Sequence, residues 1–204
     1  MRLAAVVLAG GESRRMGGGK PQRMLGGRTL LDRAVALARA ITPDVAIAVR
    51  TADGETGLPR LQDDPAIPGP LAGLASALDF ASARAADAVL LLPCDAPFLP
   101  ADLAPRLAAA LAGDPAACAV PRSGDHIHPT CALWRTGLAA ELVAYAATGR
   151  RSLKGFAEAV GWTPVDWPAD PDPFFNINTP EDLAAAELFL NPSHRSAGER
   201  AGRP

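Results

Sequence analysis

The stretch Leu8-Ala9-Gly10-Gly11-Glu12-Ser13-Arg14-Arg15-Met16-Gly17-Gly18-Gly19-Lys20 has the composition of a polyphosphate cradle, with five glycines, two arginines and a lysine. Glycines allow tight turns, positive φ and close approach of backbone N–H groups to a ligand. The cations add the charge that phosphates demand. The commoner phosphate loops do not fit. In a GxxxxGK[ST] register Arg14 stands where the first glycine belongs and Pro21 follows the lysine, and no register gives GxGxxG. Lysine recurs only at Lys154, so a chain that otherwise uses arginine carries one compact ammonium in this loop.

A second candidate is Leu92-Pro93-Cys94-Asp95, an aspartate at the end of an apolar run. An unpaired carboxylate is costly to bury there, and a bound cation would offset that cost. Mg²⁺ bridging the carboxylate and nucleotide phosphates is one reading, and a cap on the following turn is the other. On the cation reading, Asp95→Asn would leave the metal-free protein at least as stable.

Asp63-Asp64 precede Pro68-Gly69-Pro70-Leu71-Ala72-Gly73, where small residues would let a flat ring lie on backbone. A carboxylate beside it would accept paired N–H donors such as those of guanine. Phe174-Phe175-Asn176-Ile177-Asn178 would point two amides to one side if extended. They would bind a polar substrate or satisfy loop backbone. Asp125, His126 and His128, with Cys118 and Cys131, lack the spacing of a metal centre. Cys94 has no histidine partner in sequence and reads as a small buried thiol.

These residues need a frame. Leu3 to Leu8 is a short apolar run ending in glycines, the pattern of a strand buried on both faces. Thr29 would cap a helix over Leu30 to Arg39, and Val45 to Val49 reads as a strand. Leu71 to Arg84 reads as a helix, Ala88 to Leu92 as a strand, and Leu103 to Leu111 as a helix. Ala117 to Val120 and Cys131 to Trp134 are short strand candidates, with helices over Leu138 to Ala147 and Leu153 to Val160. Thr179-Pro180-Glu181-Asp182 is a helix start, running to about Leu190. The alternation predicts an α/β fold of one domain over residues 1–190, a mostly parallel sheet with helices on both faces. Residues 191–204 lack an apolar period and read as a disordered tail. Ligands of such sheets bind beyond the carboxyl ends of the strands, here just after Leu8, Val49 and Leu92.

The composition narrows the function. Hydrophobic residues are 49% and charged residues 21% of the 204, which excludes a wholly disordered chain. A net charge of −2 is unlike a protein that coats nucleic acid. No run approaches the roughly 18 apolar residues of a membrane span, and the apolar start reads as a buried strand rather than a signal peptide. Three cysteines with no CxxC spacing argue against a disulfide framework, and a reducing cytoplasm is the expected home.

Together the motifs Leu8-Ala9-Gly10-Gly11-x-Ser13-x-Arg15-Met16-Gly17-x-x-Lys20, Gly69-Pro70-Leu71-Ala72-Gly73, Pro93-Cys94-Asp95, His128-Pro129-Thr130 and Asn176-Ile177-Asn178-Thr179-Pro180-Glu181-Asp182-Leu183 resemble the MobA family of molybdenum cofactor guanylyltransferases, in the family's order. The resemblance implies a Rossmann-like nucleotidyltransferase fold and Mg²⁺-dependent transfer of GMP from GTP to molybdopterin. By motif, Leu8, Ala9, Gly10 and Gly11 would line the nucleotide and Lys20 would bind its phosphates. Asp64 would sit near the nucleotide, Asp95 would hold Mg²⁺, and Arg15, Asn176 and Asn178 would face the triphosphate or pterin. Two positions depart from the family: Gly19 stands where relatives commonly have Asp, and Arg50 stands as a substitute for a nucleotide-contacting Asn after the second strand. Cofactor-biosynthesis or molybdoenzyme-delivery proteins are candidate further partners, with no nucleic acid and no membrane. The rival readings are a cytidylyltransferase or sugar-phosphate nucleotidyltransferase on the same fold, and a non-catalytic GTP-binding adaptor. The cytidylyl branch typically reads LAAG at Leu8-Ala9-Gly10-Gly11.

Overall fold

A computed structural model describes residues 1–10, 19–49, 57–63, 67 and 69–190. Gly11, Arg14, Arg15, Arg50, Asp64 and the tail 191–204 lie outside the described residues.

The central strands are β1 (Leu3–Leu8), β4 (Val45–Val49) and β6 (Ala88–Pro93), with β1 pairing parallel to both of the others. The hairpin β2 (Met24–Leu25) and β3 (Arg28–Thr29) precedes β4 and stands apart from the main sheet. Helix α1 (Leu30–Ile41) starts where expected, Thr29 Oγ1 accepting from the Asp32 N–H at 2.9 Å. β5 (Arg60–Gln62) is one sheet edge, and α2 (Pro70–Ala83) returns the chain to β6. Then follow α3 (Leu103–Ala112), β7 (Cys118–Ser123), β8 (His126–Ile127) and β9 (Leu133–Arg135). The chain closes with α4 (Ala139–Ala147), α5 (Leu153–Val160), β10 (Trp162–Trp167) and α6 (Pro180–Leu190). Strand order across the sheet is β10-β7-β9-β6-β1-β4-β5, with β8 beside β7.

Alternation along the strands builds two cores. Ala4 and Val6 of β1 and Val89 and Leu91 of β6 face α2 and α5 through Leu71, Leu74, Leu78 and Phe156. Ala5, Val7, Leu90 and Leu92 face α1 and α3 through Leu31, Ala34, Leu103 and Leu107. Every residue of these two strand runs is apolar because both faces are covered. A third cluster joins Leu25 and Leu30 to Ile177 and Ala186, fastening α6 to the hairpin.

The expected parallel sheet with helices on both faces is present, with differences at its margins. β9 runs antiparallel to both β6 and β7. The strand expected from Cys131 begins instead at Leu133, because Pro129–Cys131 forms a 3-10 turn. β10 went unforeseen, since Pro164 interrupts its pattern. Among the described residues it pairs only with β7, and an edge strand tolerates a residue without an N–H. No helix of the described residues is long and apolar enough to cross a membrane.

Leu91 is fully buried in the central strand. Leu91→Ala should cost about 2–5 kcal/mol of stability, read as a shifted midpoint of urea unfolding followed by circular dichroism.

Candidate active site

The site is assembled from three chain segments at the carboxyl ends of β1 and β6. Gly19 sits at φ 64°, ψ 21°, the left-handed region, and opens a 3-10 turn over Lys20–Gln22. The Gln22 N–H donates to the Gly19 carbonyl at 2.9 Å and the Arg23 N–H to the Lys20 carbonyl at 3.1 Å. The following hairpin is held from outside: Arg33 donates to the Leu25 carbonyl at 2.9 and 2.7 Å, and the Gly26 N–H donates to Glu187 Oε1 at 2.8 Å. Lys20 is therefore a buried lysine on a fixed turn, not a surface cation.

Its ammonium donates to Asp95 Oδ2 at 2.5 Å and to Asn178 Oδ1 at 2.8 Å. Side-chain exposure is 11% for Lys20 and 23% for Asp95, so the pair is shielded far more than an ordinary surface ion pair. Asp95 follows β6, whose end is locked to β1 by the Cys94 N–H donating to the Leu8 carbonyl at 3.1 Å. The Asp95 carbonyl in turn accepts from the Ile177 N–H at 2.9 Å, pinning the asparagine segment beside the carboxylate. Asn178 is set by the start of α6, where Asp182 Oδ2 accepts from the N–H groups of Asn178 at 2.8 Å and Thr179 at 2.9 Å. Thr179 Oγ1 closes the box by accepting from the Asp182 N–H at 3.1 Å.

The carboxylate expected to lack a partner within the chain thus has one. Lys20 supplies the neutralising cation, and Asp95→Asn would leave that ammonium facing a weaker acceptor. The substitution should destabilise the metal-free protein, opposite to the expectation from sequence.

Beside this cluster lies a cleft of about 200 Å³ lined by Leu8, Gly10, Ala48, Asp63, Gly69, Pro70 and Gly73. Gly69 takes φ 72°, ψ −150°, a conformation essentially reserved for glycine, and Pro70 starts α2 after it. A Cβ on Gly73 would meet Leu8 Cδ2 at 3.1 Å, so the cleft wall depends on its absence. Leu8 and Gly10 line the cleft, whereas Ala9 packs into the α1–α3 core and its N–H donates to the Ala48 carbonyl at 2.9 Å. Of the adjacent aspartates, Asp63 reaches the cleft; Asp64 lies outside the described residues.

Other candidates divide cleanly. Asn176 is exposed next to the cluster. Cys94 is buried, and burial followed by the Asp95 charge pushes its thiol up to about 12, so it is protonated at neutral pH and no nucleophile. His128 bonds Ser123 Oγ at 2.8 Å and stacks on Phe174 at 4.4 Å, and burial holds its pKa below the usual value. Arg151 went unread in the sequence: its Cβ lies 3.8 Å from where a Gly69 Cβ would be, at the cleft's rim. A hollow of about 370 Å³ among Phe98, Phe175 and Phe189 has Asp172 as its one charged wall residue and no cation for a phosphate among the described residues. Of the sequence candidates described, Lys20, Asp95 and Asn178 are the ones brought into direct contact.

Residues 5–169 match the MobA-like NTP transferase domain. The chain belongs to that family. It is 43% identical over 197 residues to the molybdenum cofactor guanylyltransferase of Cereibacter sphaeroides, covering 93% of this chain and 98% of that one. The Nitrobacter hamburgensis protein of the same name is 41% identical, covering 89% and 91%. Among solved structures, molybdopterin-guanine dinucleotide biosynthesis protein A from Archaeoglobus fulgidus superposes with a TM-score of 0.75 at 24% identity, covering 93% and 99%. The 2-C-methyl-D-erythritol 4-phosphate cytidylyltransferase of Thermus thermophilus gives a TM-score of 0.68 at 21% identity, with the same two coverages. Both likenesses are of fold. Within the MobA-like family frame, the Lys20–Asp95–Asn178 cluster and the Leu8–Gly73 cleft fall at the strand ends where the sheet binds ligands.

Gly73→Ala gains helix propensity but places a methyl against Leu8. We expect a melting temperature close to the parent's and nucleoside triphosphate affinity reduced at least about tenfold, about 1.4 kcal/mol, by isothermal titration. Unchanged affinity would separate the cleft from nucleotide binding.

Proposed function

We propose that this protein transfers GMP from GTP to molybdenum-molybdopterin, giving molybdopterin guanine dinucleotide and pyrophosphate, with Mg²⁺ as cofactor. The observation that carries this is one buried ammonium held between a carboxylate and an amide oxygen, next to a glycine-walled cleft. The names of the two bacterial relatives point the same way.

The cleft takes the base. Asp63 is the carboxylate in reach of a guanine N1–H and exocyclic amine, and Leu8 and Gly10 supply backbone against the ring. The phosphates then run toward Lys20. The Asp95 carboxylate is a hard oxygen donor already facing a cation, which is the chemistry Mg²⁺ selects. Asp95 would hold the metal, with phosphate and water oxygens completing its shell. When bound, Mg²⁺ draws charge from the phosphate oxygens.

An oxygen of the molybdopterin phosphate attacks the α-phosphorus, the bond to the α–β bridging oxygen breaks, and pyrophosphate leaves. The attacking phosphate is anionic at neutral pH, so the chain needs no strong general base. Lys20 carries the charge of the departing pyrophosphate, and Arg15 is assigned the same task by its motif. Asn176 and Asn178 stand on the acceptor side. In-line positioning and charge neutralisation do the rest. A reducing cytoplasm suits the three buried free thiols.

The test is nucleotide choice. With Mg²⁺ and molybdenum-molybdopterin, pyrophosphate release from GTP should exceed that from CTP or ATP by at least about a hundredfold, since a site built for particular N–H donors rejects analogues lacking them. Asp95→Asn should lower the GTP rate by at least about a hundredfold. A CTP preference would assign the protein to cytidylyl transfer. GTP binding without pyrophosphate release would make it an adaptor.

A further inference from the structure

Lys20 and a divalent cation have overlapping claims on one oxygen. The ammonium lies 2.5 Å from Asp95 Oδ2, inside any coordination sphere that would use that oxygen, and 2.8 Å from Asn178 Oδ1. Asn178 is held by two anchors independent of its side chain: its own N–H bonded to Asp182 and the neighbouring Ile177 N–H bonded to the Asp95 carbonyl. These anchors fix the backbone at Asn178, and from there its amide oxygen reaches the ammonium. The backbone turn beneath Lys20 is fixed as well.

We propose that Lys20 latches Asp95 in the nucleotide-free protein, and that Asn178 is the positioning residue that holds the latch shut. This rests on the reading of Asp95 as the cation's carboxylate. In the closed state the ammonium occupies Oδ2 and neutralises the carboxylate charge, and the free protein binds a divalent cation poorly. A polyphosphate gives the ammonium a stronger partner, Lys20 moves onto it, and Asp95 is released to the cation that accompanies the nucleotide. Metal and nucleotide thus load together, because the ammonium withdraws from the Asp95 oxygen as it turns to the more highly charged polyphosphate. Apparent metal affinity is scaled by the fraction of molecules with the latch open, so an open fraction of about one tenth weakens it about tenfold. Asn178 acts through Lys20 and needs no contact with the metal to change its binding.

The test uses Mn²⁺ as the probe and the full chain without nucleotide, free Mn²⁺ being counted by its electron paramagnetic resonance signal. Lys20→Met should bind Mn²⁺ about tenfold tighter than the parent, with Lys20→Gln as the second variant should the first fail to fold. Asn178→Ala changes no charge, yet it should tighten Mn²⁺ about threefold by loosening the latch. Adding Asp95→Asn to Lys20→Met should abolish the gained site. Equal affinities in the parent, Lys20→Met and Asn178→Ala, all lost with Asp95→Asn, would overturn the latch while leaving Asp95 as the metal ligand. Tightening in Lys20→Met alone would mean simple charge repulsion and would overturn the role of Asn178. Mn²⁺ binding that never depends on Asp95 would overturn both the latch and the metal assignment beneath it.

Discussion

A lysine ammonium nine-tenths shielded from water is tolerable only if negative charge meets it, and here Asp95 does so at 2.5 Å. Much of the site's architecture follows from keeping that pair together. β1 and β6 are bonded side by side from Leu3↔Ala88 to Leu8↔Pro93, so the glycine segment and Asp95 leave the sheet from adjacent strand ends. The turn at Gly19 brings Lys20 back over the end of β6. The segment before α6 crosses the same spot and adds Asn178 as a second acceptor. Segments about 75 and 158 residues apart in the chain are thereby joined at one nitrogen.

The same pair connects stability with chemistry. Removing one member of a largely shielded charge pair leaves the other without its partner, which is costly. Substrate phosphates would offer Lys20 a partner of higher charge than a single carboxylate, so the contact that holds the site together can be exchanged for one to the nucleotide. The neighbouring cleft asks for a different property. It needs bare backbone at Gly69, whose φ favours glycine, and at Gly73, where a Cβ would press on Leu8 Cδ2 at 3.1 Å.

Much of this was legible in the sequence. The strands of β1, β4 and β6 announced themselves as short apolar runs, and the capping residues Thr29 and Thr179 marked helix starts that the structure places at Leu30 and Pro180. The motif resemblance pointed to the family that the comparison then gave. What escaped was set by tertiary context. β10 carries Pro164 and alternates weakly because it is an edge strand, and β9 is too short to show its direction. Whether Asp95 meets a cation or caps a turn is not decided by sequence, because no local pattern reveals that a lysine 75 positions earlier folds onto it. The pair Asp63-Asp64 was equivocal for a similar reason: which of two adjacent acids faces a cleft depends on the pleat of the preceding β5. Arg151 gave no signal, being one of many arginines until the loop before α5 places it beside Gly69.

The account stands on Lys20 and Asp95 acting as one unit before any ligand binds. A double-mutant cycle on unfolding free energy, with Lys20→Met, Asp95→Asn and the double variant in metal-free and nucleotide-free buffer, measures that directly. We expect a coupling of about 1–3 kcal/mol, the double variant losing much less stability than the two single losses combined. Additivity to within about 0.3 kcal/mol would show two independent side chains and contradict the account.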